Sequence, residues 1–461
     1  MAGKLPWWGA ALSLGFMLTA PSAVAGAMAD SEVFEPVAAK PAATTPLDGD
    51  DAKSTPMDGV NAAPMDGEDA NDAMVDLDNV PLGTSAPGIS ASPCRLGRDV
   101  LSLPARLLVF SDHPETLRSE GLLFHGGLLK LRPVRLQLYH LNGRTEPIWL
   151  ALRLKNTGRE KAKVSALAGV GRPAQEYAEA GHENNVRFLE ALLGQKGWNF
   201  ELESGACGVV WAQKMPYDTV VSATFDWCLH QGNGVEYQLF ACSSPQGPFY
   251  GNLLANPQDV HARGIYPETR RLRRQKIEVG AWKDGDGGEF WAIGATRQPS
   301  AVTGPELKGD YGVVYRWDLE LQNSSAEPKE LEFTFTARGG KATATFGVER
   351  GASCDGGAGR HTSGASEVEF WEIPELVEPF QWNRLGLITL APNSSEKLSI
   401  TTIPEGASNY PVRLTVRPAG TAAILEAKQA AEAKQAAEKA KQAAEVKQAP
   451  EKAQKESGKA R

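Results

Sequence analysis

Residues 152–167 and 319–334 of this chain align without a gap, and both stretches carry the two-residue period of a β-strand. In the first, Ile148, Leu150, Leu152 and Leu154 fall on one side, and Arg153 and Lys155 on the other. Asn156-Thr157-Gly158 follows, then Ala162, Val164 and Ala166. The second runs from Tyr315 to Ala337 and repeats the plan: Leu-x-Leu-x-Asn, a small polar pair, Glu, then an apolar strand. Glu160 and Glu327 occupy the matching place. Asn can bond its own backbone and Gly accepts positive φ, so each stretch reads as two strands joined by a tight turn.

A second match follows in the same order. Leu202 to Val210, with Met215-Pro216, aligns without a gap to Leu390 to Leu398, with Ile403-Pro404. Two matches in one order mark an internal duplication. The expected fold class is therefore mainly β: two tandem antiparallel β-sandwich domains, one with an inserted helix. A disordered N-terminal linker and a solvated C-terminal helix flank them.

The expected organisation along the 461 residues follows from shifts in composition. Residues 1–25 read as a secretory signal, with Lys4, an apolar Trp7 to Ala20, and Ala23-Val24-Ala25 as a cleavage site. Residues 26–93 read as an acidic linker; from 30 to 93 there are thirteen acidic and two basic side chains. Such a segment buries too little apolar surface to offset its ordering entropy. Residues 94–256 form the first sandwich, with a helix near 173–194 bounded by Pro173 and Gly194. Val186, Leu189 and Leu193, with Phe188 and Leu192, supply its apolar face. Residues 257–275 read as a basic linker ending in Arg270-Arg271-Leu272-Arg273-Arg274. Residues 276–418 form the second sandwich, with a Gly-rich insertion near 350–366. Residues 419–461 are an Ala/Lys/Glu/Gln-rich tail with no large apolar seam.

The net charge of −8 and its uneven placement give no basic face for nucleic acid. No segment after the signal is long and apolar enough to cross a membrane. The five cysteines, Cys94, Cys207, Cys228, Cys242 and Cys354, are an odd set. If Gly232 pairs with Val235 in a hairpin, Cys228 and Cys242 fall on opposite sheet faces and cannot bridge.

The order of strand, Asn-turn, strand, small-residue turn and long strand resembles the immunoglobulin-like, cell-adhesion-related repeats of bacterial surface and secreted proteins. The resemblance covers about half of each domain. It implies a non-catalytic spacer or binding unit. This chain departs from the simple repeat by inserting material at the same place in each copy, roughly Gly169 to Gly197 and Gly347 to Arg384.

Insertions leaving a rigid sheet are where function gathers. The candidate ligand-binding residues are Tyr177 and His182 in the first insertion and Trp371 and Trp382 in the second. Flat aromatic faces beside carboxylates suit sugar rings. His182 and Glu183 also read as a proton-transfer pair or a metal-binding pair, and ordinary polarity at a helix start explains them better. Cys354 and His361 lie in too flexible a loop to form a nucleophile pair. Lys283-Asp284-Gly285-Asp286 reads as a hairpin tip rather than a calcium loop. His125, His140 and the Asp112-His113 pair show no spacing that argues for a site. No phosphate loop, serine elbow or zinc motif is present, so no catalytic residue, metal or cofactor is assigned.

The expectation is an exported, non-catalytic envelope or surface protein, periplasmic, cell-surface or secreted. Its expected partners are a cell-wall polymer, a glycan or another envelope protein. One rival is a carbohydrate-active enzyme using Glu369, Glu372 or Glu375. The other is an assembly factor that adds a partner strand to a sheet edge.

Overall fold

The computed structural model describes residues 88–95, 107–302, 304–351, 368–421 and 424. The signal-like start, most of the acidic segment, Cys354, Asp355 and His361, and the tail beyond 424 lie outside them.

The first half runs β1 (Ile89–Arg95), β2 (Leu107–Ser111), β3 (Thr116–Leu117), β4 (Gly121–Leu128), β5 (Val134–Asn142), β6 (Ile148–Asn156) and β7 (Ala162–Val170). Helix α1 (Tyr177–Gly194) comes next, then β8 (Lys196–Leu202), β9 (Cys207–Met215), β10 (Val220–Gln231), β11 (Val235–Cys242) and β12 (Arg263–Tyr266). The second half runs β13 (Arg270–Glu278), β14 (Glu289–Ile293), β15 (Arg297–Gln298), β16 (Leu307–Lys308), β17 (Val314–Asn323), β18 (Lys329–Ala337) and β19 (Ala342–Arg350). It closes with β20 (Val368–Val377), β21 (Asn383–Leu390), β22 (Ser394–Thr402) and β23 (Val412–Pro418).

Each half packs two sheets face to face. The first pairs an eight-stranded sheet, β1-β8-β7-β10-β5-β2-β12 with β3 on β5, with the sheet β4-β11-β6-β9. The second pairs β13-β17-β22-β19-β20 with β14-β23-β18-β21. The mainly β class and the β-sandwich architecture are thus what the period-2 rows encode. Leu150, Leu152, Leu154 and Val164 lie in the first core; Leu319, Leu321, Phe333 and Phe335 lie in the second. Each such side chain contributes roughly 1.5–3 kcal/mol by leaving water.

The duplication extends to the strand register. Ala162 faces Leu202 and Val164 faces Phe200; at the aligned positions Lys329 faces Leu390 and Leu331 faces Ile388. Lys155 faces Cys207 as Gln322 faces Ser395. The order β8-β7-β10-β5 recurs as β21-β18-β23-β14. The copies differ at the neighbours around that shared order: β6 is flanked by antiparallel β11 and β17 by parallel β13, and β9 is an edge strand whereas β22 is flanked by β19.

The Asn-turns are not hairpins. β6 and β7 lie in opposite sheets, as do β17 and β18, so each turn carries the chain across the sandwich. The buried Asn holds that corner. Asn156 Nδ2 donates to the carbonyls of Glu160, Leu202 and Glu203 at 2.8, 3.0 and 3.1 Å, and its Oδ1 accepts from Gly158 N at 2.9 Å. Asn323 bonds Glu327, Leu390 and Ala391 in the same way. A third corner escaped the sequence reading. Asn142, four residues before Glu146, bonds the carbonyls of Glu146, Met215 and Pro216 and leads from β5 into β6.

Asn233-Gly234 is likewise a crossing, because β10 and β11 lie in different sheets. Cys228 and Cys242 are therefore separated by sheet, not by face; the Cys242 thiol donates to the Ser244 carbonyl at 2.7 Å. The stretch 257–275, read as a linker, carries two strands. β12 pairs with β2, and β13 pairs with β17. The basic run stays extended because acidic β17 residues lie opposite it: Arg274 meets Asp318 at 3.5 Å and Lys276 meets Glu320 at 3.4 Å. The stretch given to the acidic linker likewise ends in strand, since β1 begins at Ile89 and pairs with β8.

Helix α1 starts at Tyr177, later than Pro173 suggests, and stops at Gln195 in a left-handed conformation. Its buried face is broader than the apolar stripe, because Gly181, His182, Asn184 and Asn185 are also covered. The helix lies on β7 and β10 on one side and meets the second half on the other. A Cβ at Gly169 would overlap the helix backbone at Asn184 and Phe188, and one at Gly181 would overlap the Gly406 carbonyl. The second copy places the hairpin β19–β20 where the first has α1, so the two insertions face one another. Leu193 of α1 packs against Gly347 of β19.

Candidate functional site

A cleft of about 540 Å³ opens where the two sandwiches and the start of α1 meet. Phe110 comes from the end of β2, Asp112 and Glu115 from the loop after it, and Gln137 and Tyr139 from β5. Glu176 and Tyr177 enter at the helix start, His261 before β12, and Tyr311 before β17. The turn 406–409 of the second half closes the far wall. The Phe110 and Tyr311 rings stack with centroids 6.1 Å apart, and Tyr311 donates its hydroxyl to the Ser408 carbonyl at 2.6 Å.

The loop carrying Asp112 is fixed from behind. His140 is fully buried, with Nε2 at 3.1 Å from Ser111 Oγ and Nδ1 at 2.9 Å from the Pro114 carbonyl. Burial pushes its pKa down to about 4, so the ring is neutral, Nδ1–H donates to the carbonyl, and Nε2 accepts from the serine. Asp112 N donates to the Ala262 carbonyl at 3.1 Å. Burial, then the neighbouring Glu115 and Asp259 charges, holds the Asp112 carboxyl well above its usual range. Burial also raises Glu115, against the lowering effect of His261. His261 bridges two carboxylates, with Nε2 2.7 Å from Glu115 and Nδ1 2.6 Å from Asp259.

Two buried polar atoms lining this cleft have no hydrogen-bond partner: Asp112 Oδ1 and the Tyr139 hydroxyl. Buried polar groups are nearly always satisfied by protein or by ordered water, so both atoms keep unused hydrogen-bonding capacity.

Of the four residues singled out from sequence, Tyr177 lines the cleft and is 41% exposed. His182 sits one turn further along α1 and turns inward. Its Nδ1 lies 3.1 Å from buried Glu405 and its Nε2 lies 3.4 Å from Glu372. Burial alone would lower its pKa, but the Glu405 and Glu372 carboxylates outweigh that and raise it above 6.5. Glu405 also accepts from Thr343 Oγ1, which bonds Ser408 Oγ at 2.8 Å. His182 therefore supports the 405–409 turn rather than lining the cleft. Glu183 turns away from it, to Arg172 at 2.9 Å and Arg187, so His182 and Glu183 do not form a pair.

Trp371 is 3% exposed, and its ring packs on Phe333 at 5.1 Å in the second core. Trp382 has Arg417 over its face at 4.0 Å, on the outer side of the other sheet of that sandwich. Neither joins Tyr177. The glutamates of the rival enzyme also separate. Glu369 accepts from Trp371 Nε1 at 2.8 Å, Glu372 faces His182, and Glu375 is exposed. Lys283–Asp286 forms a turn, with Lys283 N bonded to Asp286 Oδ2 at 2.7 Å. Among the described residues no helix is long and apolar enough to span a membrane, and no group of three His, Cys, Asp or Glu side chains is placed to hold a metal.

Asp112, Glu115, Tyr139, His261 and Tyr311 were not legible as a site. They come from segments up to about two hundred residues apart, and only the Asp112-His113 pair drew notice from sequence.

No family model matches this chain, and no curated protein matches it. Among solved structures it is similar to the N-terminal CBM22-1–CBM22-2 tandem domain of Paenibacillus barcinonensis Xyn10C, at 10% identity over 61% of this chain and 82% of that one, with a TM-score of 0.15. It is also similar to Lac15 from a marine microbial metagenome, at 10% identity over 69% of this chain and 64% of that one, with a TM-score of 0.12. Likeness at this level carries no argument about activity.

Proposed function

We propose that this is an exported, non-catalytic glycan-binding protein of a bacterial envelope or surface, holding its ligand in the cleft between the two sandwiches. The observation that carries the reading is a cleft with exposed aromatic surface next to two buried, unpartnered polar atoms. Tyr177 offers a ring face for a pyranose, and Tyr139 and Asp112 offer polar groups for its substituents. Export rests on the signal-like start, Lys4 to Ala25. A wall polymer, a free glycan or a glycan-bearing envelope protein each presents the chemistry the cleft fits.

Calorimetry and affinity electrophoresis against wall polymers and oligosaccharides test the reading. Tyr177→Ala is expected to weaken binding about tenfold by removing the ring face. Tyr139→Phe is expected to weaken it several-fold, roughly what one hydrogen bond contributes. Trp382→Ala, remote from the cleft, leaves affinity unchanged. Retention on none of the polymers would leave only a structural role. Release of new reducing ends from the same sugars would make the protein a hydrolase, with Asp112 as the acid.

A further inference from the structure

We propose that the cleft selects an amino-sugar oligomer with free, protonated amines, seating an ammonium group against Asp112 and Glu115 and a pyranose face on Tyr177. The inference rests on the glycan-binding reading and narrows its ligand class.

Charge is the first ground. Asp112, Glu115 and Glu176 line the cleft, and none of the residues lining it is Lys or Arg. The single imidazole there, His261, is already held between Glu115 and Asp259. A uronic-acid or phosphate-bearing polymer would meet like charge without a basic partner.

Unmet hydrogen-bonding capacity is the second. Asp112 Oδ1 and the Tyr139 hydroxyl are partnerless, and Tyr139 is only 8% exposed. An ammonium brings three donors, which suits a carboxylate oxygen and a phenolic oxygen together.

Ring faces are the third. Tyr177 is exposed at the cleft, with the buried Phe110 and Tyr139 and the partly buried Tyr311 around it, and aromatic faces attract cations. Carboxylates and rings without bases are the chemistry of amine recognition. A flat exposed tyrosine also favours a sugar ring over a flexible aliphatic amine.

Binding of this kind expels a proton. Burial, then the Glu115 and Asp259 charges, raises the Asp112 carboxyl well above its usual range. Tyr139 and Tyr311, which also face it, have raised pKa values and stay protonated. Behind the loop, burial lowers His113 and Arg263 remains a cation. An arriving ammonium favours the carboxylate and lowers that pKa, so binding is linked to proton release.

The test is calorimetry with a glucosamine tetramer and an N-acetylglucosamine tetramer near pH 6, where the free amines are protonated. Each titration is run in two buffers of different ionisation enthalpy. The free-amine tetramer is expected to bind about tenfold tighter than the acetylated one, with a net release of protons. Asp112→Asn is expected to remove both the preference and the proton release while the acetylated tetramer still binds weakly. Equal affinity for the two tetramers would overturn the amine selectivity and leave the glycan reading standing. Binding of neither would overturn the glycan reading itself. Spermine binding as tightly as the glucosamine tetramer would overturn the sugar requirement. Should Asp112→Asn fail to fold, Glu176→Gln at the exposed rim is expected to narrow the preference about threefold, and an unchanged preference together with no proton release in the unaltered protein would reject the proposal.

Discussion

Arg135→Met is expected to destabilise the protein by about 3–5 kcal/mol, read as a fall in the urea midpoint at unchanged slope. Arg135 is 2% exposed and faces Asp226 across the β5–β10 ladder. Its Nε and one terminal nitrogen reach the two Asp226 oxygens at 2.7 and 2.8 Å. The other terminal nitrogen donates to the carbonyls of Thr269 and Gly312, at 3.0 and 2.8 Å, the first directly before β13 and the second shortly before β17. The guanidinium also lies 5.1 Å from the Phe188 ring of α1. One side chain thus ties the large sheet, the helix and the second sandwich. Methionine restores the volume but none of the four hydrogen bonds, and it takes from the buried Asp226 its two-pronged partner. Arg135→Lys is expected to recover little, because an ammonium cannot match the fork geometry. A loss below about 1 kcal/mol would mean that the halves are not joined through this residue.

Asn156→Asp and Asn323→Asp are expected to cost about 3 kcal/mol each, and equally so. The change keeps the shape and replaces a donor with an acceptor. Three carbonyl oxygens, those of Glu160, Leu202 and Glu203, would then face a carboxylate, as would those of Glu327, Leu390 and Ala391 in the other copy. Either the aspartate stays protonated in the buried corner or the carbonyls lose their donor, and both are unfavourable. Urea unfolding of the two variants and of Asn142→Asp provides the check. Three similar losses support one corner device used three times. A neutral effect at any of them would remove that corner from the account.

The sequence reading reached the sandwich architecture because alternation at Ile148–Leu154 and at Leu319–Phe335 leaves no other economical way to bury those rows. It mistook the connections. Asn156-Thr157-Gly158 and Asn233-Gly234 have hairpin chemistry, but the chain uses them to change sheets. Local propensity does not encode which sheet the next strand joins; the Asn side chain reaching carbonyls nearly fifty residues away does. The Asn142–Glu146 spacing carried the same pattern as the other two corners and was readable. The 257–275 stretch looked like a connector because its charges were counted without their partners on β17, Asp318 and Glu320. The helix face was only half read, since Asn184 and Asn185 are buried by hydrogen bonds to Ser222, Thr224 and the Ile403 carbonyl. The positions of the insertions were legible from the repeat. Their meeting, and the cleft beside it, was not, because no spacing in one dimension brings Asp112, Tyr177 and Tyr311 together.

Cross-strand cysteine pairing tests the duplicated register most directly. Lys163 faces Glu201 on β7 and β8, and at the aligned positions Glu330 faces Thr389 on β18 and β21. Lys163→Cys with Glu201→Cys, and Glu330→Cys with Thr389→Cys, are oxidised in separate proteins, and the bridges are mapped by peptide mass spectrometry. The account predicts that both pairs close readily, while partners displaced by two residues, at Glu203 and Ala391, do not. Closure of Glu330 with position 391 in preference to 389, beside normal closure of Lys163 with 201, would show that the two halves are built on different registers and are not copies of one plan.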